Sequence, residues 1–271
     1  MAIDRMPKAR GNKLTSYLLL PLRSISVISV VVGLLIWEIG ARFFIDPFFL
    51  PSVSAIFLGA LELASDGTLF VHLGMSMLRI LTGWLLGSLV AIPIGLVIGS
   101  FLTTRQIIDP FIHFLRFIPA IALVTLFIVW FGVGEFARIL LVMYSTSFIV
   151  LINTATGVVG IHEDKKRAAQ TFGASTFQIF WKVTIPACLP AIYVGMRLAL
   201  ASSFLVIVAV EMLAADSGLG YLIWTSKLYF KIDWMFVGIF FLGAMGLLTD
   251  HSWKFVGRKL LRRYVRSSAD Y

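Results

Sequence analysis

The sequence predicts an all-α polytopic membrane protein with six transmembrane helices and both ends on the cytoplasmic side. Three observations lead there. Of the 271 residues, 59% are hydrophobic and 14% charged; with a mean hydropathy of +0.94, that is more apolar surface than one soluble core can cover, so lipid is the expected solvent. The apolar residues fall into long runs parted by short polar stretches and turn signals. The cations behind the net charge of +9 sit at the ends of those runs. They do not form a patch interleaved with aromatics, which argues against a nucleic-acid partner.

Taken in order, residues 1–24 carry Arg5, Lys8, Arg10, Lys13 and Arg23 against Asp4 and read as a cytoplasmic segment. The transmembrane domain is expected over 25–249, with a first span at 25–44. That run is longer than a signal-peptide core and reads as a retained anchor. Residues 45–77 hold no Lys or Arg and include Asp46-Pro47 and Leu50-Pro51, as an outer loop does. A second span, 78–101, places Gly83, Gly87, Ala91, Gly95 and Gly99 on one helix face, where they let another helix approach closely. Pro93 should kink it. After a short loop with Arg105 and Asp109 comes a third span, 111–131, interrupted by Pro119, and Gly132 to Glu135 turns the chain into a fourth, 137–159. A polar stretch, 161–186, leads to a fifth span, 190–213. A second turn-rich outer segment at Asp216–Gly220, a sixth span at 234–249 and a basic tail, 250–271, complete the chain. Arg105, Lys165, Lys166, Arg167 and Lys182 then lie inside with the two basic ends, against Arg138, Lys227 and Lys231 outside, with Arg42 and Arg79 at span ends.

The stretch 161–186 is the longest polar interruption. Glu163 and Asp164 favour a helix N-terminus, Gly173 suits the residue after its end, and Ser175 with Gln178 makes a capping box for a second short helix, which Pro186 should end. Ala168 and Ala169 give the first helix a small, close-packing surface that could enter a groove on a soluble partner.

Arg167-Ala-Ala, three residues, Gly173, nine residues, then Val183-Thr-Ile185-Pro186 resembles the EAA-type coupling loop of ABC-importer permeases. Arg167 stands in place of the glutamate of that pattern. Leu115 to Ala122, Trp130 to Gly134, Ile152 to Thr154 with Gly157-Val158, Gly195 to Leu198, Glu211 before Ser217 to Tyr221, and Gly246-Leu-Leu with Asp250 are similar to the nitrate, sulfonate, taurine and bicarbonate branch. The resemblance implies a type I importer permease in a bacterial inner membrane, working as two copies. Its partners would be two ABC ATPase subunits and a periplasmic or lipid-anchored solute-binding protein, and the cargo a small anion.

The chain itself has no phosphate-binding loop, so ATP and Mg2+ would belong to the ATPase, and no catalytic residue is expected here. Nor is a metal: Cys188 stands alone and the four histidines are scattered. The resemblance assigns ATPase coupling to Asp164, Arg167, Ala168, Ala169, Phe172, Gly173, Ala174, Ser175 and Pro186. For an oxyanion pathway, neutral donors inside the spans are the candidates: Ser145, Thr146, Ser147, Asn153, Thr154, Ser202 and Ser203. Structural or gating roles are expected of Arg116, Pro119, Arg197, Glu211, Gly218 and Gly220, with Glu211 bracing the Ser217–Tyr221 turn. The rival reading, a secondary transporter or another polytopic protein without an ATPase, would call for a repeat or a titratable relay, and the sequence offers neither.

Overall fold

The structure, a computed structural model, describes residues 13–261, and among them every regular element is helical. In chain order these are α1 (Lys13–Phe43), α2 (Val53–Ser65), α3 (Thr68–Ser100), α4 (Leu102–Leu115), a 3-10 turn (Ala120–Leu123), α5 (Val124–Phe131), α6 (Glu135–Val159), α7 (Glu163–Thr171), α8 (Thr176–Ile179), a π-helical turn (Phe180–Thr184), α9 (Ile185–Ala214), α10 (Leu219–Leu228) and α11 (Ile232–Leu260). Arg5, Lys8, Arg10, Arg262, Arg263 and Arg266 lie outside the described residues.

Four helices among the described residues are long and apolar enough to cross a membrane: Thr68–Ser100, Glu135–Val159, Thr176–Ala214 and Ile232–Lys259. The expected first span lies in α1, outside that set. The expected third span is broken. Leu102–Leu115 and Ala120–Phe131 meet at 81°, because Pro119 disfavours helical backbone at Ile118 and has no N–H to continue the ladder. The expected short loop at Arg105 and Asp109 is a helix too, with those side chains paired at 3.1 Å.

Two further boundaries differ from the sequence reading. α3 begins ten residues before the expected second span, which puts Arg79 inside a helix and not at its end. The fifth span runs without a stop from Thr176, so Pro186 does not terminate the short helix before it. Pro186 lies in the first turn of α9, where its missing N–H is tolerated, and the chain reaches it through the π-helical turn.

The core is a three-helix seam of α3, α6 and α9. An ideal Cβ at Gly87 would lie 2.5 Å from Thr146 Oγ1 and 2.8 Å from the Met143 carbonyl oxygen. At Gly83 it would lie 2.6 Å from Val142, at Gly95 2.8 Å from Thr154, and at Gly99 2.6 Å from Val158. The glycine face therefore packs directly on α6, as the spacing predicts. Gly157 against Ala191 and Gly195 against Asn153 repeat the device between α6 and α9. Trp84 Nε1 donates to the Met196 carbonyl at 2.8 Å, tying α3 to α9. Its ring meets Trp253 edge-on at 4.9 Å, and Trp253 stacks on Tyr193 at 5.5 Å, which brings in α11.

Where lipid gives no reason for helices to associate, this contact area must hold them. Gly87→Ala is therefore expected to lower stability by about 1–3 kcal/mol through overpacking. Gly243→Ala, whose added Cβ meets no atom within 4 Å, should change it by less than about 1 kcal/mol. Thermal unfolding of the two variants in one detergent compares them directly.

Candidate functional site

Three regions hold the polar chemistry: a buried ionic cluster at one end of the bundle, a cavity in its flank, and the hairpin α7–α8 at the other end. The cluster centres on Arg79 of α3, whose side chain is 0% exposed, as is that of Glu211 of α9. Arg79 Nη1 donates to Glu211 Oε1 at 2.8 Å and to the Ser217 carbonyl at 2.6 Å, while its Nε and Nη2 donate to the two carboxylate oxygens of Glu135 at 2.6 and 2.7 Å. Ser76 Oγ donates to Glu211 and accepts from the Leu219 N–H at 2.8 Å. The Gly220 N–H reaches Glu211 Oε2 at 2.9 Å, and the Gly218 N–H reaches His72 Nδ1 at 3.0 Å.

Gly218 has φ +113, and a Cβ there would collide with the Glu211 carboxylate. At this position only glycine fits both the backbone and the space. Arg138 closes the rim. It pairs with Glu135, donates to the Ala214 carbonyl at 2.7 Å and reaches Asp216 at 3.3 Å. Asp216, on the loop, is held below the usual carboxylate range by its own backbone N–H, which donates to the carboxylate, and then by the Arg138 charge. Glu211 thus meets the Ser217–Tyr221 turn directly at the Gly220 N–H and, through Ser76, at the Leu219 N–H. The sequence pattern places Arg79 at a span end and gives no role to Ser76 or His72. The available signal was one arginine and one glutamate inside separate apolar runs, each needing a counter-charge.

The flank cavity, about 450 Å3, lies among the break before α5, α6 and α9. Its walls include Arg116, Pro119, Tyr144, Ser145 and Ser202. Ser145 lines the cavity, and its hydroxyl oxygen is buried without a hydrogen-bond partner. Arg116 lies over the Phe117 ring at 4.8 Å.

The remaining pathway candidates are elsewhere. Ser147, Asn153 and Ser203 bond the carbonyls of Tyr144, Ile149 and Leu200, Thr146 bonds that of Val142, and Thr154 is buried in the α3–α6 seam. Back-bonding of this kind is the ordinary fate of a helical Ser or Thr. Arg197 pairs with Asp250 of α11 at 2.7 Å.

At the far end, α7 has Glu163 and Asp164 in its first turn, favourable to the helix dipole. Arg167 reaches Glu163 at 3.1 Å, both largely exposed, an interaction worth less than about 1 kcal/mol. The helix ends on Gly173 at φ +77. The Gly173 N–H bonds Gln170 O at 2.9 Å and the Ala174 N–H bonds Ala169 O at 3.1 Å, a Schellman closure. Ser175 Oγ then accepts from the Gln178 N–H, and Gln178 Oε1 from the Ser175 N–H, at 3.3 and 2.9 Å, completing the capping box.

Phe172 is 92% exposed and Phe177 72%, a costly display of aromatic surface. Asp164, Ala168 and Ser175 are exposed as well, Ala169, Ala174 and Pro186 half-buried. Underneath, Ile179 is buried, and Phe180, in the π-helical turn, packs against the cluster made by Leu96, Val158, Cys188 and Ile192.

Residues 83–264 match the family described as binding-protein-dependent transport system inner membrane component. The chain is 32% identical to the taurine transport system permease protein TauC of Escherichia coli (strain K12) over 229 residues, covering 83% of each chain. It is 35% identical to the putative aliphatic sulfonates transport permease protein SsuC of Bacillus subtilis (strain 168) over 228 residues, 84% of this chain and 83% of that one. Its fold is similar to a chain of the MetNI methionine ABC transporter in an inward-facing conformation, with TM-score 0.64, 16% identity, and coverage of 74% of this chain and 97% of that one.

The ionic cluster yields a test by substitution. Arg79→Met leaves the Glu211 carboxylate buried without its counter-charge and is expected to cost about 3–5 kcal/mol, whereas Arg79→Met with Glu211→Leu recovers part of it. Asp216→Asn, on the exposed rim, should cost less than about 1 kcal/mol. Unfolding midpoints of the purified variants check the order.

Proposed function

This chain belongs to the family of binding-protein-dependent transport system inner membrane components, and on that footing we propose that it forms one half of the membrane pathway of an ATP-driven importer for a small anion, with a sulfonate as the favoured cargo. It is a multi-pass inner-membrane permease of the ABC type. A second copy completes the pathway, two ATPase subunits bind ATP and Mg2+ beneath it, and a solute-binding protein delivers cargo from outside.

The observation that carries this reading is the build of the α7–α8 hairpin. Its outer surface presents Phe172, Phe177 and the alanine face of α7, its turn is fixed by the Gly173 closure and the Ser175 capping box, and α8 continues through the π-helical turn into α9. A groove on the ATPase that receives α7 can therefore push α9 without first bending a loop. Asp164, Arg167, Ala168, Ala169, Phe172, Gly173, Ala174 and Ser175 form the contact, and Pro186 lies where the thrust enters α9. Because position 167 carries an arginine, paired only weakly with the exposed Glu163, the contact relies on shape and aromatic burial more than on a carboxylate at position 167.

Motion of α9 against α6 changes the flank cavity between them. Arg116 supplies a positive charge at its mouth, and Ser145 and Ser202 supply hydroxyls, a set that attracts a sulfonate and releases it because no donor is a deep trap. The cargo preference follows the taurine and sulfonate permeases to which the chain is similar.

Ala169→Trp and Gly173→Val, introduced separately, are expected to abolish cargo-stimulated ATP hydrolysis in the assembled transporter while the permease still inserts. Stimulation equal to wild type in both would exclude the coupling assignment. Ser145→Ala with Ser202→Ala should weaken apparent cargo affinity about tenfold, from the loss of two hydrogen bonds of roughly 0.5–1.5 kcal/mol each. Uptake into proteoliposomes measures it, and an unchanged half-saturation would remove the cavity from the pathway.

A further inference from the structure

Two hollows lie end to end between α9 and α11. The first, about 500 Å3, is walled by apolar residues including Leu200, Phe204, Val208 and Ile239, floored at Gly243 and Gly246, and bounded at one end by the Arg197–Asp250 pair. The second, about 420 Å3, is lined by Tyr193, His251, Lys254, Gly257, Arg258 and Leu261. On α11, positions 239, 243, 246, 250, 254 and 258 follow one another at three- and four-residue steps, so the two hollows share one helix face. Asp250 joins them, bonded to Arg197 at 2.7 Å and Lys254 at 2.8 Å.

The groove is apolar along most of its length and cationic at the basic C-terminal end of α11, the side that faces the cytoplasm by the positive-inside rule. Asp250 answers Arg197 and Lys254, while Arg258 and His251 have no carboxylate partner among the described residues, and no carboxylate lines the second hollow. A basic pocket between transmembrane helices on the cytoplasmic side is the arrangement that holds an anionic lipid headgroup. The smooth floor also suits a polymethylene chain. An added Cβ at Gly243 would meet nothing within 4 Å, and at Gly246 only the Phe204 ring at 3.9 Å.

We propose that this groove binds one anionic diacyl phospholipid of the inner leaflet. Its phosphate sits at Arg258 and His251 beside Lys254, and one acyl chain lies along the α9–α11 wall past Gly246 and Gly243. The order of the chemistry, cation at headgroup depth and then apolar surface, is that of an amphiphile. A helix from a second copy of this chain would have to bring an anion to the basic end and apolar side chains to the rest. The lipid also links the ends of two helices, of which α9 is the one the hairpin drives.

The experiment is native mass spectrometry of the full-length permease, purified with its bound subunits in mild detergent and equilibrated with defined mixtures of phosphatidylglycerol and phosphatidylcholine. Wild type is expected to retain phosphatidylglycerol in preference to phosphatidylcholine. Arg258→Gln should lose about fivefold of that preference, as one basic residue at a membrane surface is worth about that factor, and Arg258→Gln with His251→Gln should lose more. Gly243→Phe, whose side chain enters open space, should retain less of both lipids while the assembly keeps its mass. Equal retention of the two lipids by wild type would overturn the proposal, as would unchanged retention in Arg258→Gln. So would dissociation of the assembly by Gly243→Phe, which would give the groove to a second copy.

Discussion

The rest of the structure depends on how Arg79 is neutralised. A guanidinium with no exposed surface inside an apolar helix is untenable alone, since neither lipid nor packed side chains can solvate it. Glu211, Glu135 and the Ser217 carbonyl surround it at 2.6–2.8 Å. One side chain of α3 therefore fixes the ends of α6 and α9 and the turn into α10. The same bonds dictate details that otherwise look arbitrary: Gly218 must lack a side chain, Ser76 must be a small hydroxyl, and the turn must present the N–H groups of residues 218–220 inward.

From that pinned end the bundle is held by close backbone approach along the α3–α6–α9 seam, and it ends in the α7–α8 hairpin. The two ends differ in kind. The Arg79 end is saturated with internal bonds, whereas the hairpin end displays Phe172 and Phe177 to solvent and is stiffened only by its own turn and by the residues beneath it. The flank cavity lies between them. A helix fixed at one end and pushed at the other tilts, and the surface it shares with α6 is where a tilt is felt. In the proposed transporter, force from the ATPase on the hairpin would reach the pathway by biasing this packed element between two arrangements.

Features written in local spacing were legible in the sequence. The glycine face of α3, the Gly173 closure and the Ser175 capping box each involve residues within a few positions of one another, and the structure has all three. What depended on distant partners was not legible. Arg79 and Glu211 are 132 residues apart, so sequence pattern could suggest that Glu211 braces a turn but could not supply its counter-charge. Proline spacing alone did not reveal which prolines break a helix: Pro119 lies at the break before α5, whereas Pro93, Pro110 and Pro190 lie inside continuous helices and Pro186 is taken into the first turn of α9. Among the polar pathway candidates, only Ser145 and Ser202 face the cavity, because hydroxyls and amides on helices can satisfy themselves on the preceding turn and residue type alone does not reveal which do.

The central claim is that the hairpin and α9 move as one body. Spin labels at Thr176 and Leu205, both exposed, stand about 40 Å apart along a continuous helix at 1.5 Å per residue, within reach of pulsed dipolar spectroscopy. In the assembled transporter this distance and its width are expected to be unchanged by ATP, while the distance between Leu205 in one copy and Leu205 in the other changes. A shift or broadening of the Thr176–Leu205 distance on ATP binding would make the π-helical turn a hinge and contradict the claim.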